Sequence, residues 1–198
     1  FNFITNSVIS GISSINSKSF HINIIGCKNF TLTKMNIYAE PESINTDGIH
    51  IGKSEGVTIT DVDINTGDDC VSIGDGTRQF VVEKVTCGRG HGLSIGSLGK
   101  FGNEEAVSGV YFKNCTVKNA DNGVRIKTWL NSFPAIAEEL HFEDIVVENV
   151  TNPIIVDQAY CPYGHCDRKV PSKVKLSKIS FKNIRGSGSS PTSIKLVC

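Results

Sequence analysis

Short apolar segments recur along the chain in two series, and their spacing favours stacked β-strands over helices. In the first series, strands with apolar residues two places apart begin at Ile49, Val71, Leu93, Val124 and Ile154, and the residue between them is polar in all but the last. In the second, an apolar, polar, polar, apolar pattern begins at Leu32, Ile59, Val82, Phe112, Phe142 and Phe181. Successive members are 22 to 39 residues apart, a period typical of folds built from one repeated supersecondary unit.

The two series predict an all-β fold, a right-handed single-stranded parallel β-helix, or solenoid, with about six visible coils. In such a fold the apolar positions stack inside and the polar positions line the faces. The many Val, Ile, Thr and Asn residues and the 19 glycines suit short strands joined by tight corners. A β-propeller is the alternative, but it requires four strands per repeat and these repeats carry fewer. We expect residues 1–198 to form part of one β-helix domain.

Ionisable side chains recur at the same point of three consecutive repeats. Asp47, Asp69 and His91 are 22 residues apart, and each lies two places before a strand of the first series. Equal offsets stack about 4.8 Å apart in a parallel β-helix, so we expect these side chains to form a column. Carboxylates that close raise one another's pKa, which costs stability unless chemistry or a bound ion uses it. The column therefore predicts a functional site. Asp68 lies one position before Asp69 in the same turn, so we expect its side chain to point in a different direction from the column.

Two cations belong to the same face. Arg125 and Lys127 alternate with apolar residues on a strand of the first series, so both point outward toward the expected cleft. Each motif taken singly has a structural interpretation, such as a solvated corner for Asp68-Asp69 or a polar strand face for Arg125 and Lys127. Their coincidence on one face of consecutive coils favours an active site. His50, Ser72 and Ser94 share the outward offset of Arg125, and either contact with a ligand or an ordinary polar strand face would explain them.

Composition excludes several classes of protein. The 20 basic and 20 acidic side chains balance, and no basic run or aromatic-interleaved patch indicates nucleic-acid binding. No apolar stretch approaches the ~18 residues of a membrane span. The sequence begins at Phe1 without an initiator Met or a signal peptide, so we expect that processing or truncation removed its start.

Seven cysteines in 198 residues favour a disulfide-bonded, secreted protein over a cytosolic one. Cys70 and Cys87 flank one coil, and Cys161 and Cys166 close a short loop, so both pairs fit disulfides. A zinc site is the alternative at Cys161, His165 and Cys166, but it would need a fourth ligand.

The remaining cysteines have other expected states. Cys115 occupies an apolar position of the second series, which predicts a buried free thiol. Because seven is odd, we expect Cys198 to pair with a cysteine beyond the segment given. Sequons at Asn29, Asn114 and Asn149 are compatible with a secreted glycoprotein.

Four motifs carry a family resemblance. In order along the chain they are Asn45-Thr46-Asp47, Gly67-Asp68-Asp69, Gly90-His91-Gly92 and Arg125-Ile126-Lys127. Together they resemble the signature of the polygalacturonases, glycoside hydrolase family 28, over the whole chain. The sequences Phe20-His21-Ile22-Asn23 and Asp157-Gln158-Ala159-Tyr160-Cys161-Pro162 are similar to the plant branch, particularly the pollen-type exopolygalacturonases.

The resemblance implies hydrolysis of α-1,4 galacturonosyl links in polygalacturonan with inversion. It makes Asp68 the general acid and assigns Asp47 and Asp69 to the attacking water, with His91 tuning the acid. It assigns Arg125, Lys127, Tyr160 and Asn45 to substrate binding, although the amide of Asn45 could instead hold its corner. It further implies no metal and no cofactor, a monomer secreted to the cell wall, attack at chain ends rather than within them, and additional amino-terminal coils.

Two other functions remain open from the sequence. A calcium-dependent pectate lyase on the same architecture would use acidic ligands for Ca²⁺ and an Arg base. A non-catalytic solenoid would be a binding module, or an inert fragment known only as an antigen.

Overall fold

The chain folds as stacked parallel β-strands in the computed structural model, which describes residues 1–164, 166–167 and 169–198. These residues form strands, turns and bends and contain no helix, as the two apolar series predict. In the described ranges, accordingly, there is no long apolar helix that would span a bilayer. The fold is the expected right-handed parallel β-helix.

The described residues form eighteen strands. In chain order these are β1 (Thr5–Ser10), β2 (Ser13–Ile15), β3 (Phe20–Ile25), β4 (Lys28–Tyr38), β5 (Asp47–Gly52), β6 (Glu55–Asn65), β7 (Val71–Ile73), β8 (Arg78–Cys87), β9 (Leu93–Leu98), β10 (Val107–Lys113), β11 (Thr116–Lys118), β12 (Asn122–Trp129), β13 (Ala135–Glu143), β14 (Val146–Val150), β15 (Asn152–Tyr160), β16 (Val174–Lys182), β17 (Arg185–Gly188) and β18 (Ile194–Val197).

Each turn of the solenoid contributes one strand to each of its faces. One sheet, called the site sheet below, has the order β3-β5-β7-β9-β12-β15-β18. The opposing sheet has the order β1-β4-β6-β8-β10-β13-β16. The last parts of β4, β6 and β8 turn onto a third face, where they pair with β2 and β11, and β14 and β17 continue the row. The site sheet therefore has seven strands, where the sequence predicts about six coils.

The register of both sheets follows the apolar series. In the site sheet, Ile49 pairs with Val71, Val71 with Leu93, Leu93 with Val124, and Val124 with Ile154. In the opposing sheet the partners are likewise the first residues of the second series, from Leu32 to Phe181. The expected register is confirmed, and the structure adds a matching strand at each end of the site sheet, at Ile22 and Ile194.

A column of aromatic rings runs through the interior. Phe112 and Phe142 stack with ring centroids 5.1 Å apart, and Phe142 and Phe181 stack at 5.2 Å. Phe112 and Phe142 are fully buried. Burying one such side chain stabilises the fold by about 1.5–3 kcal/mol, so stacked phenylalanines hold adjacent coils in register.

A corner explains why the second series has two polar positions between its apolar ones. The second of these polar residues has a left-handed backbone with φ near +54° at each described coil, namely Lys34, Asp61, Lys84, Asn114, Asp144 and Asn183. Asn and Asp tolerate this conformation better than β-branched or bulky residues do. The residue that makes the bend is thus polar and solvent-facing, and the apolar residues on both sides point inward.

Candidate active site

The turns that lead into β5, β7 and β9 are stacked by backbone hydrogen bonds. The N–H of Asp68 donates to Thr46 O at 3.1 Å, and the N–H of His91 donates to Asp68 O at 2.9 Å. The N–H of Gly48 donates to Asp69 O, also at 2.9 Å. Because each turn is bonded to the next, the Asp47, Asp69 and His91 backbones lie one above another, as their equal offsets predict.

The two glycines beside His91 permit this close stacking. Gly90 has φ +98°, and a Cβ there would lie 2.3 Å from Asp68 O. Gly92 has φ +75°, and a Cβ there would lie 2.0 Å from Asn122 O. Both positions therefore require glycine, since any larger residue would push His91 away from the neighbouring coils.

The side chain of His91 leaves the column and pairs with Asp68. Nδ1 of His91 lies 2.8 Å from Oδ1 of Asp68, and Nε2 lies 3.4 Å from Oδ2 of Asp121. Oδ1 of Asp68 also accepts the N–H of Asp69 at 2.8 Å. The ring thus lies between two carboxylates, where a doubly protonated imidazole would be stabilised.

Asp69 lies beneath the surface and is held from two sides. Its Oδ1 accepts from Ser94 Oγ at 2.6 Å, and its Oδ2 accepts from Lys127 Nζ at 2.6 Å. Asp69 and Lys127 are both buried. The sequence predicts that Lys127 points outward to bind a ligand. In the structure its ammonium is instead paired with the buried carboxylate of Asp69.

Asp47 is held by the equivalent serine of the next coil. Ser72 Oγ donates to Asp47 Oδ2 at 2.8 Å, and His50 Nδ1 lies 2.8 Å from the same Oγ. Ser72 and Ser94 are register partners in β7 and β9. From the sequence, both serines could either contact a ligand or belong to an ordinary polar strand face. Their role in orienting the two carboxylates was missed. The signal for that role was present, since each serine follows a carboxylate at the same interval of 25 residues.

Burial and charge shift the proton affinities of the carboxylates in opposite directions. Burial, followed by the charges of Asp69 and Asp68, raises the pKa of Asp47 to about 7. Burial would also raise the pKa of Asp68, but the hydrogen bond and charge of His91 hold it below its ordinary value. The hydrogen bond to Asp68 raises the pKa of His91. The expected repulsion among carboxylates is present, and it acts on Asp47 rather than on Asp68 because His91 lies beside Asp68.

The predicted binding residues meet around one hollow. A hollow of about 470 Å³ is bordered by Asn45, Asp68, His91, Arg125, Lys127 and Tyr160. A second hollow of about 410 Å³ adjoins it and shares Arg125, Tyr160 and Pro162. The Arg125 guanidinium lies 5.3 Å from the centroid of the Tyr160 ring, and Lys127 Nζ lies 5.5 Å from it. The site thus combines carboxylates, cations and an aromatic wall.

One group of side chains in the site has the geometry to hold a metal ion. Asp68, Asp69 and His91 each offer a ligand atom, and these atoms lie within 4.8 Å of one another. Both oxygens of Asp69 and Nδ1 of His91 already have partners within the chain. The arrangement of the three residues is therefore explained by protein contacts alone.

The two predicted cysteine pairs and Cys115 take the expected states, Cys27 is a second buried free thiol, and the pairing of Cys198 stays a prediction. Cys70 is joined to Cys87, and Cys161 to Cys166. The zinc alternative is wrong because that second disulfide uses both thiols, while His165 lies outside the described residues. Cys115 is a buried free thiol, and burial raises its pKa to about 12.

Comparison with known proteins identifies the family. The profile described as Glycosyl hydrolases family 28 matches residues 1–198. The chain belongs to this family. This family 28 chain is 54% identical over 195 residues to an exopolygalacturonase of Oenothera organensis, covering 98% of the chain and 54% of that protein. It is 57% identical over 198 residues to a polygalacturonase of Gossypium barbadense, covering 100% of the chain and 49% of that protein.

A solved structure confirms the architecture of the family 28 chain. The polygalacturonase from Erwinia carotovora ssp. carotovora superposes with a TM-score of 0.76 at 25% identity, covering 100% of this chain and 57% of that one. The chain spans about half the length of the curated relatives it matches.

Proposed function

We propose that this protein is a polygalacturonase that hydrolyses α-1,4 galacturonosyl links in polygalacturonan with inversion at the anomeric carbon. The observation that carries the proposal is the meeting of the Asp68–His91 pair with Arg125 and Tyr160 around one hollow. Relatives named polygalacturonase at more than half identity support the same activity. The names of several relatives also favour attack at chain ends.

Asp68 would be the general acid. Glycoside hydrolysis needs a proton on the departing oxygen and a base for water on the opposite side of the sugar. Asp68 borders the hollow and its Oδ1 is hydrogen-bonded to Nδ1 of His91, whose pKa is raised. In the proposed step, protonated Asp68 gives the proton on its other oxygen, Oδ2, to the leaving glycosidic oxygen as the bond to the anomeric carbon breaks, and the hydrogen bond from His91 stabilises the carboxylate that remains.

Asp47 and Asp69 would hold and activate the attacking water. The hydrogen bonds from Ser72 and Ser94 fix the two carboxylates in neighbouring coils. Lys127 on Oδ2 of Asp69 stabilises its charge, while the raised pKa of Asp47 makes that carboxylate, once ionised, a stronger proton acceptor than Asp68, whose pKa is lowered. If both carboxylates bind the water, neither is placed to attack the anomeric carbon itself. The water then displaces the leaving group in a single step, and we therefore expect inversion.

Arg125 would bind the carboxylate of a galacturonate residue. A guanidinium pairs with a planar carboxylate through two parallel hydrogen bonds, and Tyr160 offers a ring against which the sugar would lie. Lys127 adds positive charge, and Asn45 also borders the hollow. No metal or cofactor has a part in this scheme.

Secretion and a monomeric state complete the proposal. The two disulfides and the exposed sequon asparagines Asn29, Asn114 and Asn149 are typical of a secreted protein, and a wall polysaccharide is an extracellular substrate. Size-exclusion chromatography of the secreted protein checks the oligomeric state.

One incubation separates the three candidate functions. The full-length protein is mixed with polygalacturonate, with and without a chelator, and the products are resolved by size and reducing end. Saturated products that form equally with the chelator support the hydrolase. Unsaturated products lost on chelation would identify a lyase, and binding without cleavage would identify a non-catalytic module.

A further inference from the structure

Exposed aromatic rings gather on one rim of the site. The loops that follow β9, β12 and β15 carry Phe101, Phe133 and Tyr163, whose exposed fractions are 58%, 53% and 74%. Trp129 lies among them, with its ring centroid 6.4 Å from that of Tyr163. The Phe133 ring lies against Gly102, 3.3 Å from where a Cβ would be. Large apolar groups exposed together on a soluble protein mark a binding surface more often than isolated ones do.

A lysine lies over this rim. Lys100 Nζ is 5.2 Å from the centroid of the Trp129 ring and 5.5 Å from that of Phe101. Among the described residues, no carboxylate lies within salt-bridge distance of it, and the nearby Glu104 carboxylate instead accepts the N–H groups of Gly99 and Phe101 at 2.6 and 2.9 Å. The positive charge of Lys100 is therefore presented to solvent beside aromatic rings.

The loop that carries Lys100 is held in place. Besides the two contacts of Glu104, Gly99 O accepts the N–H of Phe133 at 2.9 Å, which ties the loop to the one after β12. A ligand that binds here would meet a preorganised surface and would lose less affinity to loop ordering.

Two aromatic rings lie between two cations along the row from the hollow to Lys100. Arg125 lies 5.3 Å from the Tyr160 ring, the Tyr160 and Trp129 rings meet edge to face at 5.3 Å, and Lys100 lies over Trp129. Trp129 and Tyr160 are register partners at the carboxyl ends of β12 and β15, so the row crosses the strands along the solenoid. This arrangement suits a chain of carboxylated sugars, because it offers ring faces for the sugar C–H groups and a cation at each end for an acid group.

We propose that Lys100, Trp129 and Tyr163 form a further uronate-binding subsite, the Lys100 subsite, next to the hollow of Arg125. Its occupant is an additional acidic sugar of the same chain, whose carboxylate pairs with Lys100 and whose apolar face lies on Trp129 or Tyr163. The proposal rests on the proposed function. It makes the protein more effective on longer substrates than on the shortest ones.

The test measures how binding depends on the length of the oligomer. Galacturonate oligomers of increasing length are titrated into the full-length Asp68→Asn protein by calorimetry, alone and combined with Lys100→Gln or Tyr163→Ala. We expect Lys100→Gln to weaken the binding of the longer oligomers about two- to fivefold more than that of the shortest. The expected loss is small because an exposed ion pair contributes little binding free energy. The salt dependence of binding should become shallower for the longer oligomers.

Lys113→Gln is the matched control. Lys113 lies 5.1 Å from the Tyr111 ring, a pair of the same kind that belongs to the opposing sheet rather than to the site sheet. The Lys100 subsite is overturned if affinity depends on oligomer length in the same way in the parent protein, Lys100→Gln and Tyr163→Ala. If wild type cleaves polygalacturonate in that case, the proposed function survives. If wild type neither binds nor cleaves any polyuronate, both proposals are wrong.

Discussion

Nδ1 of His91 lies 2.8 Å from Oδ1 of Asp68, although the two residues are 23 positions apart in the sequence. The contact exists because His91 follows Asp68 by one coil plus one residue, and Gly90 beside His91 lets the two turns touch. It raises the pKa of His91 and lowers that of Asp68. The two side chains thereby form a proton-binding pair at the border of the hollow.

Replacing Asp68 should stop catalysis while preserving the fold. Asp68→Asn keeps an oxygen that accepts the N–H of Asp69, so thermal unfolding should change little. Turnover of polygalacturonate should fall at least ~10²-fold, the usual effect of removing a general acid. Activity near that of wild type would remove Asp68 from the mechanism.

Removing the serine on Asp47 should move the acid side of the pH profile. In the proposed function Asp47 acts in its charged form, so activity should rise as pH increases through the pKa of Asp47, which is about 7 in the free site. The hydrogen bond from Ser72 lowers that pKa, and Ser72→Ala should therefore shift the acid limb of kcat/KM to higher pH. Ser94→Ala, which removes the equivalent bond to Asp69, is the comparison. An unchanged limb in Ser72→Ala would exclude Asp47 as the titrating base.

Truncation of Lys127 and truncation of Arg125, the two cations of β12, should affect different properties of the protein. Lys127→Ala leaves Asp69 buried without its ion partner, which should lower the free energy of unfolding by about 3–5 kcal/mol in denaturant titrations. Arg125→Ala should cost less stability and weaken binding of galacturonate oligomers. Equal stability of Lys127→Ala and wild type would contradict the buried pair.

The first product should be the β-anomer. Asp47 and Asp69 are assigned to a water rather than to the sugar carbon, so an α-linked substrate should be inverted in a single displacement. NMR of the nascent reducing end, recorded before mutarotation, decides the question. An initial α signal would show that one carboxylate attacks the sugar.

The Cys70–Cys87 disulfide should support the acid turn. It closes a loop of 17 residues, and cross-links of this size stabilise by about 3 kcal/mol. Cys70 directly follows Asp69, and Cys87 lies four residues before His91. Mild reduction should therefore lower activity before the solenoid unfolds, as followed by circular dichroism. Alkylation of Cys70 as a free thiol in active protein would rule this out.

The register of the strands in the two apolar series follows from the amino-acid sequence. The pairs from Ile49 to Ile154 and from Leu32 to Phe181 follow from an apolar repeat, because a parallel β-helix places equal offsets on top of one another. The same rule brought Asp47, Asp69 and His91 to consecutive coils. Both disulfides could also be foreseen, since their cysteines lie close in the sequence.

The pairing of the side chains in the site, in contrast, follows from the folded structure. The partner of His91 is Asp68 and not the next carboxylate of the column, Lys127 is buried on Asp69, and Ser72 holds Asp47. These contacts depend on side-chain direction and on burial between coils, and a repeat pattern specifies neither. The proton affinities of the site follow from the same contacts, because a pKa reports the sum of nearby charges, hydrogen bonds and lost solvent rather than the identity of the residue.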